Sequence, residues 1–385
     1  MRKVLLTLLI LAAVSPCLAY SGGSGTTGDP YKIANVADFN QLSSTPPHWN
    51  KAFILTADIN LTGLIYTQAP IAPDTSTSSG FQGTQFTGVF DGNNHTISNL
   101  TITASTKDYI GLFGYVDSGG QIRNLGVEDV NITGGGDVGG LVGYSIGGNI
   151  INNCYSTGAV TGKLHIGGLV GRNVGTISNC NSTGSVSGTS NSDRVGGLVG
   201  WNYGGNISNC YSTGMVSGID YVGGLVGWNS FAFFVGGNIS KCYSTGVVSG
   251  TSNVGGLVGY RENGTISGCY FLDIAGPNNG YGTPLADAQM KQQSSFVGWD
   301  FVWETANGPN DIWAICEGVS YPKLAWQFIA GDSDNDKDVD FADFAVLGNK
   351  WMQADSNLYC GGSDLTGDGW VDLEDLAVFA NNWLL

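Results

Sequence analysis

The chain has 385 residues, 61 of them glycine, about twice the ordinary ~7% share, and such a length has room for two or three domains with a sizeable core. Its formal charge is −16, yet the last 55 residues, with eleven Asp and one Glu against Lys337 and Lys350, hold −10 of that total. This balance argues against nucleic acid or an anionic membrane as a partner, and past the amino-terminal run no stretch is apolar and long enough to span a bilayer.

Residues 1–19 read as a secretory signal peptide: Met1-Arg-Lys3 is basic, Val4 to Val14 is apolar, and Cys17-Leu-Ala19 supplies a small-residue cleavage site. Pro16 argues against acylation of Cys17. The expected location is therefore secreted, extracellular or at the cell surface. Residues 20–28, rich in Ser, Gly and Thr, read as a linker with nothing to bury. Over 29–109 the sequence predicts an amino-terminal cap and the first rungs of an array. Asn35-Val-Ala-Asp-Phe-Asn-Gln-Leu42 has helical spacing, the run from Lys51 to Leu61 alternates like a strand, and Phe86 to Leu100 supplies strands around an Asp/Gly/Asn turn. Such a piece covers the open edge of the first rung.

Residues 110–271 are a repeat. Val222-Gly-Gly-Leu-Val-Gly-Trp228 has close copies ending at Gly143, Gly171, Gly200 and Gly259, and a degenerate first copy ending at Gly114; the steps are 29, 28, 29, 27 and 32 residues. Between copies stand Asn153-Cys-Tyr-Ser-Thr-Gly158 and its equivalents at Cys180, Cys210, Cys242 and, shortened, Cys269, each preceded by an isoleucine three residues back. The unit is rich in Val, Ile, Thr, Tyr and Ser and is broken by Gly, so it reads as short strands, about three to a period. One period per turn stacks equivalent residues about 4.8 Å apart on parallel strands. The expected fold is mainly β: a right-handed parallel β-solenoid with terminal caps. A propeller blade needs four strands and ~40 residues, more than this period provides. Five cysteines in one register predict a column of small buried thiols, because neighbours on parallel strands align their Cβ atoms poorly for bridging. Cys316 and Cys360 remain as a pair that an oxidising compartment permits.

With these cores the chain resembles the GLUG-motif repeat proteins, over roughly residues 29–328. The resemblance implies a secreted or surface protein and says little about activity. Some streptococcal IgA peptidases carry such motifs, but their zinc chemistry depends on His-Glu-x-x-His, which this chain lacks.

After each closing glycine comes Tyr115, Tyr144, Arg172, Trp201, Trp228 or Tyr260. Facing solvent, this series would offer sugar rings a track and so bind glycans; facing inward or along a flank, it would be a ladder that stiffens the sheet. Tyr155, Tyr211, Tyr243 and Tyr270 form a second series with the same two readings. Two residues before each core the side chain varies, through Asp137, His165, Arg194, Tyr221 and Asn253, as a recognition edge or a solvated corner would. Glycan cleavage would need carboxylates converging across rungs. Asp193 and Asp220 are the pair in equivalent positions, but turns favour Asp for backbone reasons, and the three histidines, His48, His95 and His165, belong to no nucleophile motif. The expectation is a non-catalytic adhesion or polysaccharide-binding protein, with a glycoside hydrolase or lyase as the alternative.

The register breaks once, from Ser230 to Gly237, where Phe231-Ala-Phe-Phe-Val235 reads as a loop packed on the stack. Residues 272–330 read as the carboxy-terminal cap and linker: a helix from Thr283, its N-cap, with Pro284 at the first position, then extended pieces from Trp299 to Trp303 and from Tyr321 to Trp326. Trp299, Trp303 and Trp313 are expected in its core.

The sharpest chemical signal lies in residues 331–385. Asp332, Asp334, Asp336, Asp340 and Asp343 occupy positions 1, 3, 5, 9 and 12 of one loop, and Asp364, Thr366, Asp368, Asp372 and Asp375 repeat the scheme. A hard cation takes six to eight oxygens from such alternating positions plus the carbonyl at position 7, here of Asp338 and Trp370. Each loop runs into an apolar helix. The duplicated unit resembles type I dockerin, and the resemblance implies a small all-α domain, two calcium ions and a cohesin-like protein partner. Lys337 replaces the sixth-position glycine, position 12 is Asp in both loops, and positions 10 and 11 are Phe341-Ala342 and Leu373-Glu374 in place of a Ser/Thr pair.

Overall fold

The computed structural model describes residues 20–76, 78, 80–232, 235–302, 310–328, 331–333, 339–353, 363–366 and 370–383. Residues 1–19, expected to be a signal peptide, and Phe233, Phe234, Trp303, Asp334, Asp336, Lys337, Asp338, Cys360 and Asp368 lie outside them.

The chain winds into a parallel β-solenoid of about six turns, with parallel pairing continuing to Tyr31–Ile33 at one end and to Thr283–Leu285 at the other. Each turn holds five short pairing segments where three were expected. In one coil these are residues 150–152, 155–156, 159–162, 164–167 and 170–173, paired in parallel with 176–178, 181–182, 185–188, 193–196 and 199–202 of the next. Some corners need no glycine, because single residues in the left-handed region bend the chain: Asn153, Asn179, Asn209 and Lys241, φ +51° to +52°, just before the cysteines, and Asp137, His165, Arg194, Tyr221 and Asn253, φ +48° to +60°, just before the cores.

Like residues lie in files. Ile151, Ile177, Ile207 and Ile239 are in register, as are Val160, Val186, Val216 and Val248. Cys154, Cys180, Cys210, Cys242 and Cys269 are buried free thiols in one column headed by Leu125, each donating to the carbonyl two residues back. Cys316 is disulfide-bonded. Behind the cores runs a buried asparagine ladder not foreseen from sequence: Asn173 Nδ2 donates to Asn202 Oδ1 at 2.9 Å, and Asn202 Nδ2 to Asn229 Oδ1 at 2.7 Å.

The Gly-Gly pairs follow from a narrow cross-section. A Cβ on Gly197 would lie 2.2 Å from both the Gly224 carbonyl oxygen and Ser212 Oγ, so the middle of the unit admits no side chain.

Helix α1 (Val36–Ser43) covers the first coil, its amino terminus capped by Asn35 and its Phe39 and Leu42 buried. Residues 20–28 are not a free linker. Tyr20 is buried against Tyr31, with centroids 4.4 Å apart, and Ser21 bonds Asp38 through backbone and hydroxyl. At the other end Thr283–Leu285 is a strand on Tyr270–Leu272, and the expected helix shrinks to α2 (Asp287–Met290), with Ala286 as N-cap. Pro284 is tolerated there at the edge of the stack. The chain then returns along a flank and covers the second tyrosine series. Tyr243 donates to the Pro322 carbonyl, Tyr211 to Gln327, and Trp326 Nε1 to the Asn179 carbonyl at 3.0 Å, while Trp299 and Trp313 are fully buried. The register break is an antiparallel hairpin in which Phe231 pairs with Gly236 and Ala232 with Val235; Ala232 is buried and Phe231 is exposed.

In the carboxy-terminal segment α3 (Phe341–Lys350) and α4 (Leu373–Asn381) share a cluster of Val339, Leu347, Leu365, Val371 and Phe379. Among the described residues no helix is long and apolar enough to cross a membrane.

Candidate functional site

The residues after the closing glycines form one file on the outer side of the coil: Tyr115 pairs with Tyr144, Tyr144 with Arg172, Arg172 with Trp201, Trp201 with Trp228, and Trp228 with Tyr260. The left-handed corner residues stand beside them and interleave. Arg172 places its guanidinium 3.9 Å from the Tyr144 ring and 5.2 Å from Trp201; Arg194 lies 4.7 Å from Trp201 and 4.2 Å from Trp228. Trp201 and Trp228 stack at 5.5 Å and 13°, and Tyr221 stacks on Trp228 at 5.2 Å and 15°. Partly desolvated cation–π contacts contribute about 1–2 kcal/mol each, comparable to what a non-glycine residue loses in a left-handed corner.

This geometry decides how the ladder meets solvent. Rings stacked along the solenoid axis cover one another's faces, so from Tyr144 to Trp228 mainly their edges point outward. Tyr115 and Tyr144 are buried, and Tyr260, the last rung, is the most open at 36% exposure. At its first three positions the variable corner is an ion-paired cluster: Asp137 bridges His165 Nδ1 at 2.6 Å and Arg172 Nη2 at 2.8 Å, and Arg194 Nη1 contacts His165 Nε2 at 3.0 Å and Asp193 at 2.7 Å, whereas Asn253, at the last position, is exposed. Arg194 keeps its proton, so His165 Nε2 accepts there and the Nδ1–H donates to Asp137.

Asp193 and Asp220 occupy adjacent positions in register. Burial raises the Asp193 carboxyl pKa although Arg194 pulls it down, and burial lowers that of Arg194, so desolvation outweighs their mutual contact on both partners. For Asp220 burial works upward too, but bonds from Ser252 Oγ, Asn253 Nδ2 and the Tyr221 N–H win and lower it. The two environments thus push neighbouring carboxyls apart.

In the carboxy-terminal segment the two halves repeat one arrangement. Asp343 and Asp375, the position-12 carboxylates, are buried; each accepts from the start of its own loop, from the Ser333 N–H and from the Leu365 and Thr366 N–H groups, and from the N-cap N–H of Asp340 or Asp372. Asp340 and Asp372 in turn cap α3 and α4. Asp332, Asp364 and Thr366 are described at loop starts, and the Trp370 side chain is exposed. The donor set is all oxygen, as a hard cation requires. Among the described residues no three metal-ligating side chains converge, and Asp334, Asp336, Asp338 and Asp368 lie outside them.

The GLUG motif matches residues 162–187, 191–217 and 220–249, so the chain carries GLUG repeats, one to each of three successive coils. It is similar to halomucin of Haloquadratum walsbyi, 38% identical over 156 residues, which is 39% of this chain and 2% of halomucin. A provisionally named Gly-rich membrane protein of Evansella cellulosilytica is 31% identical over 137 residues, 35% of this chain and 15% of that protein. The chain therefore spans only a small part of the length of these relatives. Among solved structures, a provisionally assigned immunoglobulin A1 protease from Bacteroides ovatus superposes with a TM-score of 0.56 over 80% of this chain and 96% of its own, at 21% identity, which is a likeness of fold.

Proposed function

We propose that this is a secreted or surface-displayed, non-catalytic β-solenoid that acts in adhesion or polysaccharide capture and is held to a cohesin-like partner by a calcium-dependent, dockerin-like tail. The observation that carries the reading is the repeated arrangement around Asp343 and Asp375, two buried carboxylates bracing two acidic loops. Calcium, when bound, supplies charge neutralisation and fixes each loop. Asp332, Asp334, Asp336, Asp340, Asp343 and the Asp338 carbonyl would hold one ion; Asp364, Thr366, Asp368, Asp372, Asp375 and the Trp370 carbonyl the other. Similarity to halomucin and to a membrane protein supports an extracellular or surface location.

Because the sequence places several carboxylates in each twelve-residue loop, metal binding would contribute directly to folding of residues 331–385. Limited proteolysis of the full chain with calcium and with EGTA tests this: the tail is expected to be cut in EGTA while the solenoid resists. Equal protection of the tail in both conditions overturns the calcium reading.

A second reading, glycan cleavage, draws support from Asp193 and Asp220, adjacent carboxyls with oppositely shifted pKa values. A reducing-sugar assay over a polysaccharide panel, repeated with Asp193→Asn, separates the two: turnover lost in the variant favours cleavage, and binding without turnover favours capture.

A further inference from the structure

In an Asn-Gly pair the glycine nitrogen can attack the side-chain amide before it, because glycine has no side chain to shield that nitrogen. The chain holds three such pairs. Asn307-Gly308 lies outside the described residues; Asn263-Gly264 and Asn279-Gly280 stand at the carboxy-terminal end of the solenoid, each with an exposed asparagine and a left-handed glycine at φ +84°. The sequence presents these two alike, but the fold holds them differently. The Asn279 amide is tied down: its Nδ2 donates to the Val258 carbonyl at 2.8 Å and the Gly259 carbonyl at 2.9 Å, its Oδ1 accepts from the Tyr281 N–H, and the Gly280 N–H is turned to Asn278 Oδ1 at 3.0 Å. At Asn263 the attacking nitrogen already touches its target, since the Gly264 N–H lies 2.6 Å from Asn263 Oδ1. Arg261 Nη1 lies 3.4 Å from the Gly264 carbonyl oxygen, a cation close to the main-chain nitrogen that must lose its proton.

We propose that Asn263 is a site of spontaneous modification, converting to aspartate and isoaspartate in the folded chain while Asn279 is protected. Hydroxide takes the Gly264 amide proton, the nitrogen forms a bond to Asn263 Cγ, and the Cγ–Nδ2 bond breaks, releasing ammonia with a proton from water. Water then opens the five-membered ring at either carbonyl, and no oxidant, reductant or enzyme takes part. Proximity of the two reacting groups is what the fold supplies. The position gives the change a structural consequence. Asn229, the end of the buried asparagine ladder, donates through Nδ2 to the Asn263 main-chain carbonyl at 3.0 Å, and its own carbonyl accepts from the Glu262 N–H at 2.8 Å. Opening at the main-chain carbonyl reroutes the backbone through the residue 263 side chain and leaves a carboxylate where Asn229 had a peptide oxygen, so the hold of the ladder on the last coil loosens as the chain ages.

The test is incubation of the full chain in mildly alkaline buffer, with and without urea, followed by mass spectrometry of its peptides with a fragmentation that distinguishes aspartate from isoaspartate. In the native chain Asn263 is expected to convert at least about tenfold faster than Asn279, and in urea, where both are Asn-Gly pairs of an unfolded chain, the two rates should converge. Asn278→Ala, which frees the Gly280 N–H, should raise the native rate at Asn279 and leave that at Asn263 unchanged. Hydrogen exchange at Glu262 should quicken with age in the wild type and hold steady in Asn263→Gln. Equal native rates at the two asparagines, or an intact Asn263 beside a converted Asn279, would overturn the proposal. Exchange at Glu262 that quickens equally in Asn263→Gln would overturn the consequence drawn for the last coil.

Discussion

Replacing Gly197 by alanine tests the account of the repeat most directly. The new methyl carbon would sit 2.2 Å from the Gly224 carbonyl oxygen of the next coil and 2.2 Å from Ser212 Oγ. Ordinary contact requires the coils to open there by about 1 Å. The serine can swing aside; the carbonyl cannot, because neighbouring rungs are fixed by bonds such as Leu198 N–H to the Leu225 carbonyl at 2.9 Å. Overpacking of this kind costs about 1–3 kcal/mol, and a stretched ladder bond adds about 1 kcal/mol. Gly28→Ala is the control, since a Cβ there meets nothing within 4 Å and φ is not left-handed. Urea unfolding followed by far-ultraviolet circular dichroism should show the Gly197→Ala midpoint lowered by roughly 0.5–1 M and that of Gly28→Ala unmoved. A repeat array need not unfold in one step, so hydrogen exchange at Leu198 and Leu225 is the local readout. Wild-type midpoint and exchange in Gly197→Ala would refute the crowded-coil explanation of the motif.

Burial holds the thiols of Cys180, Cys210, Cys242 and Cys269 well above the ordinary range, so these cysteines should resist iodoacetamide in the native chain and react only after unfolding, as mass spectrometry of the peptides would show. Burial, then the nearby Asp137 charge, pushes the Tyr109 phenol up to about 12, against about 10 in the unfolded chain. The unfolded state therefore releases this proton first, and the contribution of the neutral phenol to stability, complete below pH ~10, falls as pH rises through about 12. Alkaline titration of tyrosinate absorbance alongside circular dichroism, compared with Tyr109→Phe, should show a late-titrating group missing from the variant. Asn202→Ala leaves Asn173 Nδ2 and Asn229 Oδ1 facing a gap in the buried ladder and should destabilise the array by about 2–4 kcal/mol, measured by thermal unfolding.

Much of the solenoid was legible because its constraints are periodic. A recurring Gly-Gly-Leu-Val-Gly core, an isoleucine three residues before each cysteine and a valine six after the first four can be satisfied together by one coil per period, and those residues do stand in files. The strand count was not legible, because left-handed asparagines and a lysine make corners as sharply as glycine and leave no gap in a strand-like run. Nor was the asparagine ladder, since Asn173, Asn202 and Asn229 look like ordinary polar residues following the core. The expected linker misled for a related reason: Ser- and Gly-rich composition does not reveal that Tyr20 has a pocket against Tyr31 and Phe53.

By itself the sequence determined which side chains repeat, hence the inward files, the free thiols and the paired acidic loops, because spacing along a chain fixes register once the coil length is known. What the tertiary structure alone decided is which surfaces remain available. The ladder closes on itself because its rings and guanidiniums stack along the axis, and the second tyrosine series lies beneath a returning flank whose path depends on contacts between residues more than a hundred positions apart, such as Tyr211 with Gln327. No local pattern encodes such a meeting.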